Sequence, residues 1–271
     1  MEFMTEQSHA APRPRILLTN DDGISSDALW ATYQALQCIG DVLVCAPATQ
    51  QSAVGRSLSI FKPLRVYEMM MHDVLGYAVE GSPTDSVVIG LFALKWRPDL
   101  VVSGTNIGEN LSCEAVTTSG TVGAALEAAN HGISAIAFSL QVLDQGSKFG
   151  NQLHRKNAFE GVITVVEDVV RRVITHGFPR GVDVLNVNIP HTITGTYEIT
   201  TLAHKLFKTD VEMRHDPRGR AYYWITGPLI EEAPKGTDLY SVHHGNISIT
   251  PLTIDCTATG REREIERLFA E

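Results

Sequence analysis

The sequence predicts an α/β protein: a doubly wound, mostly parallel sheet followed by a C-terminal β-rich arm and a terminal helix. Three observations carry this. Short, continuously apolar runs alternate with helical patterns as far as Pro190, polar loops follow the carboxyl ends of those runs, and beyond Pro190 helical spacing gives way to separated β-type runs. Strands covered by helices on both faces read as apolar runs rather than as alternation, which is the texture of Ile16-Leu17-Leu18-Thr19. The expected division is a doubly wound core over residues 13–190 and an arm with its helix over 191–271.

After the first strand, Ser25, Ser26 and Asp27 offer helix N-caps, and Leu29, Tyr33 and Leu36 recur at helical spacing until Gly40. Val42-Leu43-Val44-Cys45 is a second strand, ended by Ala46-Pro47 and followed by a polar loop over 49–57. The weak alternation of 59–69, with Pro63 inside it, suits an edge strand or an excursion. Gly81-Ser82-Pro83-Thr84-Asp85 is a helix start: Ser82 caps, Pro83 takes the first helical position and Asp85 complements the dipole, with the helix expected to reach about Trp96. Leu100-Val101-Val102 is a third strand whose exit loop is expected over 103–110. The small residues after Ser119-Gly120-Thr121 predict a helix packed closely on the sheet and ended by Gly132. A strand over 133–140, an amphipathic helix over 157–175 and a last core strand over 184–189 complete the alternation; Gly146, Ser147 and Lys148 suggest a mobile loop between the first two. In the arm, 197–202, 221–226 and 246–250 read as strands and 261–269 as a helix. Such an extension buries little core of its own, so docking on the parent domain or on another subunit is expected.

Composition narrows the function classes. Hydrophobic residues make up 44% and charged residues 20%, and no run of about 18 apolar residues that could span a bilayer is present. Lys and Arg number 22 against 31 Asp and Glu, a net charge of −9, which leaves no global positive field to gather nucleic-acid polymers. A small phosphate substrate stays compatible, because a bound cation and helix N-termini supply positive potential locally. Cys38, Cys45, Cys113 and Cys256 show no metal-ligand spacing and read as reduced packing residues. Met1-Glu2-Phe3 ahead of Met4 reads as an addition before the native start, and the polar segment up to Ala11 lacks a signal peptide's apolar centre; cytoplasm is the expected compartment.

The chemistry is expected at Asn20-Asp21-Asp22-Gly23, at the carboxyl end of the first strand, where open α/β sheets bind ligands. Adjacent carboxylates repel and resist desolvation unless a cation lies between them, although the same four residues also suit an ordinary turn. Ser52 and Asn106, on the exits of neighbouring strands, offer neutral oxygens to the same ion, and a magnesium-type ion needs only a few protein oxygens. Ser119-Gly120-Thr121 offers backbone amides, two hydroxyls and a glycine at a helix start, a cradle for an anion or a simple cap. Neither G-x-x-x-x-G-K-[ST] nor a G-x-G-x-x-G after the first strand occurs, so P-loop ATPase and dinucleotide dehydrogenase lose their marks. His243-His244 reads as ordinary surface or interface histidine, since successive strand residues face opposite ways. Tyr222, Tyr223 and Trp224 read as interface residues rather than a platform for a base.

In order along the chain, Ile16 to Ile24 (ILLTNDDGI), Ala46-Pro47 with Gln51-Ser52-Ala53-Val54-Gly55, Gly81-Ser82-Pro83-Thr84-Asp85, Val102 to Asn110 (VSGTNIGEN) and Ser119 to Glu127 (SGTVGAALE) resemble the survival protein SurE family of metal-dependent nucleotidases. Tyr222-Tyr223-Trp224 and Ile247 to Leu252 (ISITPL) are similar to its C-terminal pattern. The resemblance implies a Rossmann-like core and one divalent ion per subunit, Mg2+ or Mn2+, held by Asp21, Asp22, Ser52 and Asn106. It implies phosphate contacts from Asn110, Ser119, Gly120 and Thr121, to which Asn20 is added as a neighbour. It further implies hydrolysis of nucleoside monophosphates and a dimer or tetramer built partly by the arm. Broad acid phosphatase or short-chain polyphosphate hydrolysis on the same site, and a non-catalytic metal and nucleotide sensor, are the alternatives. Asp21 or Asp22 is expected to orient the attacking water; attack by Asp21 itself, through an aspartyl phosphate, is the competing route. Ser112 and Glu114 stand where the family commonly has Gly and Asp, and Thr118 where it commonly has Tyr, departures that bear on loop shape and substrate breadth.

Overall fold

Because Ile16, Leu17 and Leu18 are all excluded from water, strand β1 (Arg15–Thr19) must be covered on both faces. A computed structural model, describing residues 12–142, 159–194 and 196–270, shows how. Ile16 and Leu18 face helices α1 (Asp27–Leu36) and α5 (Glu160–His176), while Leu17 faces α2 (Pro83–Val88) and α4 (Gly120–Asn130). The period-2 alternation of a strand thus divides one apolar run between two cores.

The remaining sheet strands are β2 (Asp41–Pro47), β3 (Val66–Met71), β4 (Val74–Val79), β5 (Leu100–Ile107), β6 (Ala135–Leu140), β7 (Val184–Ile189), β8 (Tyr197–Ile199) and β11 (Ile247–Leu252). They pair in the order β3-β4-β2-β1-β5-β6-β7-β11-β8. From β4 to β7 every pairing is parallel; β3 lies antiparallel on β4 and β11 antiparallel on β7. The mostly parallel, doubly wound sheet read from the sequence is therefore what forms. The chain leaves β1 toward β2 on one side and returns as β5 on the other, so the switch point of the winding lies between β1 and β5.

Several elements differ from the sequence reading. The segment at 59–69 becomes regular only at β3, an outer strand, paired with a strand β4 that the sequence reading does not include. The helix expected to reach Trp96 is α2, with its capping box at Ser82 and Asp85, extended by a π-helical turn over Ile89–Ala93. What reads as a loop after Val102 continues as β5 to Ile107, with a register shift against β6 between Ser103 and Asn106. A short helix α3 (Ser112–Thr118) precedes α4. Past residue 190 the chain re-enters the sheet as β8 and β11, and α6 (Asp238–His243) packs beside them; the segment standing apart is the hairpin of β9 (Asp210–His215) and β10 (Ala221–Thr226), with the helix α7 (Glu262–Leu268) at the end. His243 and His244 close α6 instead of lying in a strand, and His244 stacks on Tyr240 at 3.9 Å between ring centroids. Of the cysteines only Cys45 is a packing residue; Cys38, Cys113 and Cys256 are exposed. Gly146, Ser147 and Lys148 lie outside the described residues.

Candidate functional site

At the end of β1 the backbone must turn sharply, and Asn20 makes the turn. Its Nδ2 donates to Gly23 O (3.2 Å), its Oδ1 accepts Gly23 N–H (3.1 Å), and Gly23 takes a φ of +96° that a side chain would strain. Asn20 is thus engaged in the turn through both of its side-chain polar atoms. The turn leaves Asp21 and Asp22 at the switch point, both nearly excluded from water.

Each carboxylate is pinned by a different element. Thr121 Oγ1, in the first turn of α4, donates to Asp21 Oδ1 at 2.6 Å. Gln50 Nε2 donates to Asp22 Oδ1 (3.2 Å) and the backbone N–H of Ile107 to Asp22 Oδ2 (3.1 Å). The Ile107 contact depends on the irregularity in β5, where an extra residue re-aims the strand end. There Gly104 has no alternative, because a Cβ would lie 2.4 Å from Phe138 O. Burial first, and then the neighbouring charge of Asp22, push the Asp21 carboxyl up to about 7; burial likewise pushes Asp22 up, against its hydrogen bonds from Ile107 and Gln50.

Asn106 lies one residue before that contact, with its Nδ2 donated to Gly108 O (2.6 Å), so its Oδ1 is the atom left as an acceptor. Ser52 sits on the exposed side of the loop over 49–57, which is tied to the turn by Gln51 N–H on Asp21 O (2.7 Å). Ser119 caps α4, its Oγ accepting Val122 N–H (3.1 Å). Gly120 passes so close to the acid pair that a Cβ there would stand 2.9 Å from Asp21 Cβ and 3.2 Å from its Oδ2. Asn110 lies further out, anchored on the sheet: its N–H donates to Asn188 Oδ1 (2.8 Å), its Nδ2 to Ser139 Oγ (2.8 Å), and its carbonyl accepts Asn186 Nδ2 (2.9 Å). Asp21, Asp22, Thr121 and Gly120 are therefore brought together directly, Asn106 and Ser52 through the backbones that flank them, while Asn20 and Asn110 are held by the turn and the sheet.

Sequence reasoning missed Gln50, the Ile107 N–H, and the Asn186, Asn188 and Ser139 group behind Asn110. The two asparagines at alternate positions of an apolar strand, Asn186 and Asn188, carried a usable signal, since buried amides demand partners. Gln50 and Ile107 carried none, because both contacts depend on loop path.

The family described as Survival protein SurE matches residues 16–209. This chain belongs to the SurE family. Among SurE relatives, the 5'-nucleotidase SurE of Methanospirillum hungatei JF-1 is 62% identical over 258 residues, covering 95% of this chain and 92% of its own. The 5'-nucleotidase SurE of Methanoregula boonei is 59% identical, covering 95% and 99%. The crystal structure of the SurE protein from Aquifex aeolicus matches with a TM-score of 0.79 at 35% identity, over 95% of this chain and all 100% of that one. In this SurE chain, no described helix is long and apolar enough to cross a membrane.

Proposed function

We propose that the chain is a divalent-metal-dependent phosphatase that hydrolyses nucleoside monophosphates at the β1–β5 switch point. The observation that carries the reading is the buried pair Asp21 and Asp22 facing the start of α4, since two such charges are poorly tolerated together without a cation. The names of the relatives support the reaction class and the nucleotide substrate.

The donor set fits a hard ion. Asp21 and Asp22 carboxylates, the Asn106 Oδ1 and the Ser52 hydroxyl are all oxygens, the ligands that Mg2+ and Mn2+ prefer, and one ion per subunit satisfies them. A divalent ion held there would supply concentrated positive charge beside the phosphoryl group. The protein's own residues do the positioning. Gln50 and the Ile107 N–H fix the orientation of Asp22, and Thr121 fixes that of Asp21. Gly120, lacking a side chain, leaves room for a phosphate against the α4 N-terminus, where Ser119 Oγ retains a proton to donate while it caps the helix. Asp21 orients the attacking water, and trapping of an aspartyl phosphate on Asp21 in a single turnover would replace that step with covalent transfer. A cytoplasmic location and self-association through the β9–β10 hairpin complete the reading.

The decisive measurement is phosphate release by the full chain across 5'-nucleotides, 3'-nucleotides, a simple aryl phosphate and short polyphosphate, with Mg2+, Mn2+ or chelator. Release from 5'-nucleotides that needs the ion, and that drops by about 100-fold or more in Asp21→Asn, is expected. Turnover surviving in Asp21→Asn ends the proposal. A preference for polyphosphate or aryl phosphate reassigns the substrate, and ion-dependent nucleotide binding without release identifies a sensor.

A further inference from the structure

One face of α4 runs from Asp21 along the loop over 49–57. Gly120, Gly123 and Glu127 recur at i, i+3 and i+7, the spacing of a single helix face. A Cβ on Gly120 would stand 2.9 Å from Asp21 Cβ and 3.2 Å from Gln51 O, and one on Gly123 would stand 2.6 Å from Gly55 O, so the first position admits both the acid pair and the loop and the second lets the loop's backbone lie on the helix. Gly55 N–H donates to Thr118 O at 2.8 Å just before the helix. The third position holds a carboxylate: Arg56 Nε donates to Glu127 Oε2 at 2.7 Å, and His131 Nε2 lies 2.9 Å from the other oxygen. Glu127 is only 2% exposed and sits in the C-terminal half of α4, where burial and the helix dipole both oppose a negative charge. An acid in that place needs a purpose that packing does not supply.

We infer that Glu127 is a positioning residue for the catalytic site, clamping Arg56 and with it the loop that carries Ser52 to the helix that carries Ser119, Gly120 and Thr121. The loop is held at its other end by the acid pair itself, through Gln51 N–H on Asp21 O and Gln50 on Asp22. The Arg56–Glu127 pair therefore closes a strap whose two fastenings lie on the two halves of the site, and the place of Ser52 between them is set by both. His131, on the far oxygen, keeps the carboxylate turned toward the loop. This inference rests on the functional reading above for what the strap serves, and on geometry alone for the strap.

The test uses the full chain and the variants Glu127→Ala, Glu127→Gln, Arg56→Ala and the double alanine variant, with two independent readouts. In amide hydrogen exchange without metal, residues 49–57 are expected to exchange about tenfold faster in Glu127→Ala and in Arg56→Ala, and no faster than in these single variants in the double variant. In phosphatase assays, the manganese concentration giving half activity is expected to rise about tenfold in both single variants while KM for the nucleotide at saturating manganese stays within about twofold. Glu127→Gln, which keeps an acceptor for Arg56, is expected to recover part of the loss; a merely structural acid would show no such split between metal and substrate. Exchange at 49–57 equal to wild type in the single variants, or losses that multiply in the double, overturns the inference. Should Glu127→Ala fail to fold, Arg56→Ala, altered near the surface, still decides by exchange and metal titration. Wild-type protein that releases no phosphate from any substrate overturns the functional reading alone, because the exchange result judges the strap without activity.

Discussion

Asp21 and Asp22 follow one another in a turn that shields both from water, so each charge makes the other harder to hold. The folded Asp21 carboxyl titrates at about 7, above its ordinary value of 3.8 in an unfolded chain, because of burial and then of Asp22. Between those values the folded protein holds a proton that the unfolded chain has released. Stability contributed by this group is therefore complete below the ordinary carboxylate range and is lost as pH rises toward 7 and beyond. For metal-free protein in chelator, thermal melts from pH 5 to pH 8 are expected to show Tm falling with pH, by an amount worth a few kcal/mol at the upper end. Asp21→Asn should flatten that slope and melt higher than the parent at pH 8, and added manganese should restore the parent but not the variant. Parallel curves for the two proteins would show that the pair carries no such stress. This is also the part of the site most legible in the residues: two adjacent acids at a strand's carboxyl end are conspicuous because nothing in packing explains them. The side chains that hold them are not legible, since Gln50 arrives from another loop and the Ile107 N–H is turned to Asp22 by an irregularity in β5 that no local pattern announces.

Among the elements, α4 links site and scaffold. Its N-terminus meets Asp21 through Thr121, its inner face packs on the sheet through Val122, Ala124 and Ala125, and its third face receives the loop over 49–57. Helix and start are both readable in the sequence, because Ser119 is a cap and small residues follow. The third face is not, since the two glycines look like poor helix formers and the glutamate like an ordinary solvated one until the loop lies against them. The same limit explains α3, α6, β4 and β9, each six or seven residues long and thus too short for periodicity to separate them from loops. Gly123→Ala tests the packing of this face. In an isolated helix the change would stabilise, but here the added Cβ would meet Gly55 O at 2.6 Å, and backbone on both sides leaves little room to yield. A loss of about 1–3 kcal/mol in stability is expected, with a weaker response to manganese as Ser52 is displaced. A variant that melts higher and titrates normally would mean that the loop moves freely on α4.

On the scale of the whole molecule, the parallel winding accounts for where chemistry sits, and the same topology leaves the β9–β10 hairpin as a separate ribbon. The β9–β10 hairpin pairs Met213 with Tyr223 and Val211 with Ile225, so those four side chains share one face, while Glu212, Arg214, Tyr222 and Trp224 share the other. On the first face Tyr223 is 64% and Ile225 is 83% exposed, and among the described residues the two strands pair with no other strand. A two-stranded ribbon is at best marginally stable in water, and an apolar face of this kind calls for cover. A second copy of the chain is the proposed cover, which would place the arm's apolar face against an identical or complementary surface. Replacing residues 210–226 with a short Gly-Ser link leaves β8 and β11 in the main sheet and the helix α6 in place, and removes only the hairpin. Light scattering after gel filtration is then expected to show the mass fall from a multiple of 29.6 kDa to about that of one chain. Val211→Glu with Ile225→Lys, which charges the same face and keeps the hairpin, should do the same while the manganese response of the monomer persists, since the proposed ligands all belong to one subunit. A wild-type protein that already runs as one chain, or an assembly that survives both changes, would mean the hairpin is not what joins the copies.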